Sequence, residues 1–376
     1  MTLAAAERLD DVALLETADP SSMLRQVASS AAQVREAASS AAEASLDELA
    51  AGGRPRAIVV TGMGGSGIAG EVLAAVVGPG CPVQVTTVHD YRLPGWVGAA
   101  DLVIAVSCSG TTEETLSSAE EAVRRGCRLL GVGGPKSPLA DLAEQAHAPF
   151  IGVQPSGVPR SMLWGLSVPL VVAAARLGVL DLPEHSCESA AVELERVAHL
   201  CRPDSESFVN PAKALALELS GTLPMIWGTS PLTGVAAARF ACQLNENAKY
   251  PAIAGVLPEA NHNQVVAFDG PFAPEPEATG PVPSGSGEPP PVPLRLVLLR
   301  DTHEHPQVAR RREESARIAA ERGVEVTELA AAGDLPLERL ASLVQLIDYD
   351  AVYLAIATGV DPTPVVAIQE LKARIA

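Results

Sequence analysis

The chain has 376 residues, 47% of them hydrophobic, and a formal net charge of −18. That length and apolar fraction predict a globular protein of two domains, or one large one, with ample core. The acidic balance argues against nucleic acid or an anionic membrane as partners, so an anionic ligand must be held by local groups against the overall field.

Residues 1–50 are rich in Ala, Ser and Glu and predict one or two helices, broken at Asp19-Pro20-Ser21. From 57 to 153 strands alternate with helices. The predicted strands are Ala57–Thr61, Val83–Val88, Leu102–Val106, Arg128–Val132 and Ala148–Val153. Such alternation gives a parallel sheet covered on both faces. The first strand runs into Gly62-Met63-Gly64-Gly65-Ser66-Gly67 and then an apolar helix, Ile68–Val77, with Asp90 a little further on. Literally this is the dinucleotide fingerprint. Its glycines equally let backbone approach any small anionic ligand.

The third strand opens into Ser107-Cys108-Ser109-Gly110-Thr111-Thr112, ahead of a helix with Glu113 and Glu114 in its first turn. Four hydroxyls within six residues, beside the free N–H groups of a helix start, make a pocket for a phosphate dianion. The plain alternative is an N-cap among ordinary turn residues, although a cap needs a single hydroxyl. No lysine lies in the loop, so recognition would rest on hydrogen bonds.

Residues 160–201 are apolar and helical, hinged at Leu180–Glu184. Then the pattern restarts: strand Leu223–Gly228, helix Thr233–Asn245, strand Leu294–Leu299. We read an internal duplication in which Arg300-Asp301-Thr302 stands where the first copy has its serine loop. Residues 271–293 hold nine prolines and read as a surface insertion. The predicted organisation is a helical segment 1–50, a first domain 51–203 and a second domain 204–376. A last helix, Thr363–Ile375, places Val365, Ile368, Leu371 and Ile375 on one apolar arc that includes Lys372. A lysine on a core-facing stripe either snorkels or points into a site.

Only four lysines (Lys136, Lys213, Lys249, Lys372) stand against 23 arginines, so each lysine merits attention. Cys81, Cys108, Cys127, Cys187, Cys201 and Cys242 show no C-x-x-C and read as buried thiols of a reducing cytosol. The acidic start predicts no signal peptide, and the longest mostly apolar run, Leu163–Ala175, is too short to span a bilayer.

The two loops together resemble the sugar isomerase (SIS) domain. Five further stretches narrow the resemblance: Pro159-Arg160-Ser161, Asn245-Glu246-Asn247-Ala248-Lys249, Pro258-Glu259-Ala260-Asn261-His262-Asn263, Asp361-Pro362-Thr363-Pro364-Val365-Val366, and Leu371-Lys372. In this order they are similar to the bacterial and archaeal bifunctional phosphoglucose/phosphomannose isomerase family, from about residue 55 to the C-terminus. The resemblance implies two SIS-type α/β domains, each a parallel sheet flanked by helices. It implies aldose–ketose isomerisation of a hexose 6-phosphate through a cis-enediol, with neither metal nor redox cofactor.

By that resemblance Glu246 is the base, and His262 serves acid–base work on O5 and O1, where imidazole suits neutral pH. Arg160 stabilises the enediolate, and Lys372 and Thr363 bind the sugar, with Gly65 beside it. Ser66, Ser107, Ser109 and Thr112 take the phosphate. A surface salt bridge for Arg160 and an N-cap for Thr363 remain the plain alternatives. The resemblance also implies a cytoplasmic homodimer in which His262 reaches the partner's pocket. Two positions depart from the family: Gln264 replaces an acidic residue, and Thr111 an asparagine. A catalytically silent sugar-phosphate-binding regulator is the second reading. A nicotinamide oxidoreductase is a third, but it leaves Ser107–Thr112 unexplained.

Overall fold

The computed structural model describes residues 3–273 and 292–375. The insertion expected over 271–293 therefore lies, from 274 to 291, outside the described residues. Packing divides the chain into two units. One comprises Gln26–Glu195 and Leu335–Ala341; the other comprises Met1–Arg25, Arg196–Asp334 and Ser342–Ala376. The segment read as 1–50 is thus shared out between them.

The unit built on Gln26–Glu195 holds a five-stranded parallel sheet of order β2-β1-β3-β4-β5. Its strands are β1 Ala57–Thr61, β2 Gln84–Val88, β3 Leu102–Ser107, β4 Arg128–Gly133 and β5 Phe150–Gly152. β1 and β3 are buried at every position, as continuous apolar runs should be when helices cover both faces. On one face Val59, Val103, Ala105 and Leu129 pack with Ala119 and Ala122 of helix Glu113–Arg124 and with Leu139. Helices Ile68–Val77 and Leu163–Arg176 pack together, and Ser30–Glu43 lies on the latter.

The second unit repeats the order with four strands, β7-β6-β8-β9: β6 Leu223–Gly228, β7 Ile253–Val256, β8 Leu294–Arg300 and β9 Glu325–Ala330. In both sheets the first strand is central, the second goes to one side, and the third and fourth go to the other. The internal duplication read from the sequence is written in this shared order. Its core gathers Met225, Trp227, Leu296, Leu298 and Phe268, with the Trp227 and Phe268 rings 5.6 Å apart. The first residues of the chain belong here. Asp10 accepts hydrogen bonds from Ser207 N (2.7 Å) and Oγ (2.8 Å), and lies 3.7 Å from the buried Lys213 ammonium. Lys213 also donates to the Pro203 and Ser205 carbonyls and sits over the Tyr353 ring.

Three expectations change. The helix expected at Thr233 begins at Pro231, because Ser230 and Thr233 form a capping box, and it ends in a π-turn, Leu244–Ala248. The last helix begins at Val366 and buries none of its residues. Its apolar arc therefore faces outward, with Val366 66%, Leu371 59% and Ile375 74% exposed, and Lys372 is exposed with them. Periodicity gives the stripe but not what covers it. Finally, Leu163–Ala175 is not the longest apolar stretch. Helix Pro336–Ala357 is long and apolar enough to cross a membrane, yet 94% of its apolar window is buried inside the fold.

Candidate active site

In an open parallel sheet, ligands bind beyond the carboxyl ends of the strands where the chain reverses its direction of winding. In the first unit that point lies between β1 and β3, and both loops singled out from the sequence emerge there. Ser66, 5% exposed, ties them together: its Oγ accepts a hydrogen bond from Cys108 N at 3.1 Å.

The hydroxyl loop is built from its own side chains. Ser107 Oγ accepts from Gly110 N at 3.0 Å and shares a hydrogen bond with Thr112 Oγ1 at 2.9 Å. Ser109 Oγ accepts from Thr111 N at 3.2 Å and pairs with Thr111 Oγ1 at 2.9 Å. Thr112 stands at the N-cap of helix Glu113–Arg124 but makes no capping hydrogen bond with its side chain. The capping bond of the plain alternative is therefore not made, and the hydroxyls are engaged within the turn. Gly110 has φ 68°, and a Cβ there would lie 2.0 Å from Ser137 Oγ, so only glycine fits this turn. Cys108 is buried, and desolvation pushes its thiol up from its ordinary value, so it packs rather than reacts.

The third element is the turn Pro159–Ser161. A Cβ on Gly65 would lie 2.7 Å from the Pro159 carbonyl oxygen and 3.1 Å from Arg160 N. Glycine at 65 thus lets the first loop meet the turn that bears Arg160. Arg160 is 5% exposed, which removes a surface salt bridge as its explanation. His89, which sequence reasoning passed over, also supports the Gly-rich turn, with Nδ1 donating to the Gly62 carbonyl at 2.9 Å. Ser66, Ser107, Ser109, Thr112, Gly65 and Arg160 are therefore brought to one junction.

The remaining candidates lie in the second unit. Glu246 is half-buried on the π-turn Leu244–Ala248, a distortion that inserts one residue into a helix and recurs at functional sites. Asn247, beside it, is fully buried and donates to Gln243 Oε1 at 3.0 Å. Gln243 in turn donates to Asp348 Oδ1 at 3.1 Å, and Arg239 closes bidentately on the same carboxylate at 2.8 and 2.6 Å. Burial pushes the Asp348 carboxyl up from its ordinary value, against the pull of Arg239. Arg239, Gln243 and Asn247 recur every four residues on one helix face, but nothing in the sequence announces their common partner Asp348, more than 100 residues further on.

His262 ends the short turn Glu259–His262 and is exposed. Its asparagine neighbours are engaged elsewhere, Asn261 with Ser315 Oγ at 2.7 Å and Asn263 with Glu259 at 3.0 Å. Gln264 gains a role that the sequence did not disclose. It accepts from the Trp227 indole at 2.6 Å and donates to the Ala254 carbonyl at 3.0 Å, fastening this segment to β6 and β7. Thr363 is half-buried in a turn set by Asp361, whose carboxylate accepts from Thr363 N at 2.9 Å. Lys372 stands apart on the outward helix.

Residues 208–375 match the family described as bacterial phospho-glucose isomerase C-terminal SIS domain. The bifunctional phosphoglucose/phosphomannose isomerase of Caldicellulosiruptor bescii is 34% identical over 322 residues, 85% of this chain and 89% of that protein. The enzyme of the same description from Aquifex aeolicus is 31% identical, covering 84% of this chain and 89% of its own. Among solved structures, a hypothetical protein from Thermus thermophilus superposes with TM-score 0.70 at 18% identity, over 99% of this chain and 93% of that one.

Proposed function

The chain belongs to the bifunctional phosphoglucose/phosphomannose isomerase family, and we propose on that footing that it interconverts glucose 6-phosphate, mannose 6-phosphate or both with fructose 6-phosphate through a cis-enediol. The observation that carries this is the junction of the Gly-rich turn, the hydroxyl loop and the Arg160 turn at the switch point of the first sheet.

Each part of the reaction has a candidate. Ser66, Ser107, Ser109 and Thr112 with the loop amides receive the phosphate, and Gly65 lets the sugar approach the backbone. His262 protonates O5 and opens the ring. Glu246 takes the C2 proton of the aldose and returns it to C1, the reverse serving the ketose. The buried Arg160 guanidinium stabilises charge on the enediolate oxygens. Thr363 contacts the sugar, whereas Lys372, exposed on its outward helix, would reach it only if a second copy covered that helix.

The active species in this reading is a cytoplasmic homodimer. Glu246 precedes β7 and His262 follows it, so the two flank a four-residue strand that rises roughly 13 Å. Tyr250, next to the π-turn, donates to the Leu219 and Thr222 carbonyls, at the end where β6 begins. This separation supports His262 working in a second copy's pocket. The outward apolar face of helix Val366–Ile375 is of the kind a subunit interface covers. The test is C2 proton exchange on a panel of hexose 6-phosphates, with light scattering alongside. Exchange on the glucose or mannose ester supports the reading; binding without exchange means a silent sugar-phosphate sensor.

A further inference from the structure

Lys249 directly follows the turn that carries Glu246 and has a left-handed backbone, φ 53°. Its ammonium reaches three backbone carbonyls: Asn247 at 3.1 Å, Asp361 at 2.7 Å and Pro362 at 3.3 Å. An ammonium has three donors that can point in three directions, whereas a guanidinium presents a planar fork. That geometry accounts for a lysine here in a chain that otherwise favours arginine. The first acceptor belongs to the π-turn. The other two belong to the turn in which Asp361 positions Thr363. Lys249 therefore fastens the segment bearing Glu246 to the segment bearing Thr363. The π-turn is also anchored by the buried series Asn247–Gln243–Asp348–Arg239.

We propose that Lys249 is a positioning residue for the isomerisation, holding the Glu246 carboxylate in register with the sugar bound beside Thr363. The proposal rests on Glu246 being the base. A turn that loses one of its two anchors lets a reacting carboxylate drift, and a displacement of about 1 Å can cost about 100-fold in rate. Binding by the phosphate loop is unaffected by such a drift, so the loss falls on kcat.

The experiment compares wild type, Lys249→Met, Lys249→Arg and Glu246→Gln in the full-length protein. It measures kcat and KM for fructose 6-phosphate, thermal melting, and hydrogen–deuterium exchange over residues 244–250 and 359–366. Lys249→Met is expected to lower kcat by about 10- to 100-fold with KM changed less than about threefold. Exchange over 359–366 is expected to rise. Lys249→Arg should recover melting but not the full kcat, because its planar fork cannot meet all three carbonyls, and it serves as the folded variant if Lys249→Met does not fold. Wild-type kcat in both lysine variants overturns the proposal, as does unchanged exchange over 359–366. A raised KM at unchanged kcat also overturns it, because that marks a binding contact. A fully active Glu246→Gln refutes the base itself and is read separately from the lysine variants.

Discussion

The two sheets end in the same junction and put opposite chemistry into it. In the first, Ser66 Oγ accepts from Cys108 N at 3.1 Å; in the second, Thr229 Oγ1 accepts from Asp301 N at 2.9 Å. Each bond joins the loop after the first strand of its sheet to the loop after the third. Beyond it the copies part. The first continues into Ser107, Ser109, Thr111 and Thr112. The second offers the Asp301 carboxylate, which accepts from Ser230 Oγ at 2.6 Å and His303 N at 3.2 Å. A carboxylate carried by the chain occupies, in one copy, donors of the kind that the other copy assembles from hydroxyls and amides. In the second copy a carboxylate of the chain itself takes a hydroxyl and an amide as donors; the proposed phosphate would take donors of the same kind in the first.

If binding belongs to the first junction and proton transfer to the second unit, variants should separate them. The largest effect is expected for Glu246→Gln, which keeps shape but cannot take a proton. Turnover should fall about 10²- to 10⁴-fold while sugar-phosphate affinity and melting hold, as read by C2 proton exchange and calorimetry. Wild-type exchange in this variant would show the residue to be structural.

Next is Ser109→Asp, which gives the first loop the charge of the second. A like charge against a phosphate costs several kcal/mol, so binding should weaken by about two orders of magnitude. The milder Ser109→Ala removes one charged hydrogen bond, about 1–2 kcal/mol. Undiminished affinity in both would place the phosphate elsewhere.

A smaller change is expected for Asp301→Asn. Losing a charge-assisted bond should lower stability by about 1–2 kcal/mol and the melting temperature by a few degrees. kcat/KM should stay within about twofold, because the second junction is read here as scaffold. A large loss of activity at full stability would mean that it takes part in the reaction. The smallest effect belongs to deletion of residues 273–291 with a short Gly/Ser bridge. Their composition cannot build a core, so melting and activity should be nearly unchanged.

The strands were legible because fully buried parallel strands are apolar runs bounded by glycine and polar turns; β1, β6 and helix Ile68–Val77 fall where the pattern puts them. The hydroxyl loop was legible because its members are contiguous. What depends on distant packing was not. The Arg239–Asp348 pair joins residues 109 apart, and no spacing rule reaches that far. The π-turn is one inserted residue, invisible to a 3.6-residue period. Gln264 looked like a lost charge and proves to satisfy a buried indole. The stripe around Lys372 was found, but a stripe does not say whether it faces its own core or another surface.

Residues 3–25 are grouped with Arg196–Asp334 and not with the stretch that follows them in sequence. Asp10 pairs with Ser207, 197 positions later, and stands beside the ammonium of Lys213. The stretch from Gln26 to Glu195 can begin to form its sheet as it leaves the ribosome. The partners of residues 3–25 belong instead to the unit that holds the second sheet. Closing so long a loop is entropically costly, and contacts this distant form slowly. Residues 3–25 thus depend on contacts of long sequence separation, the kind that slows folding.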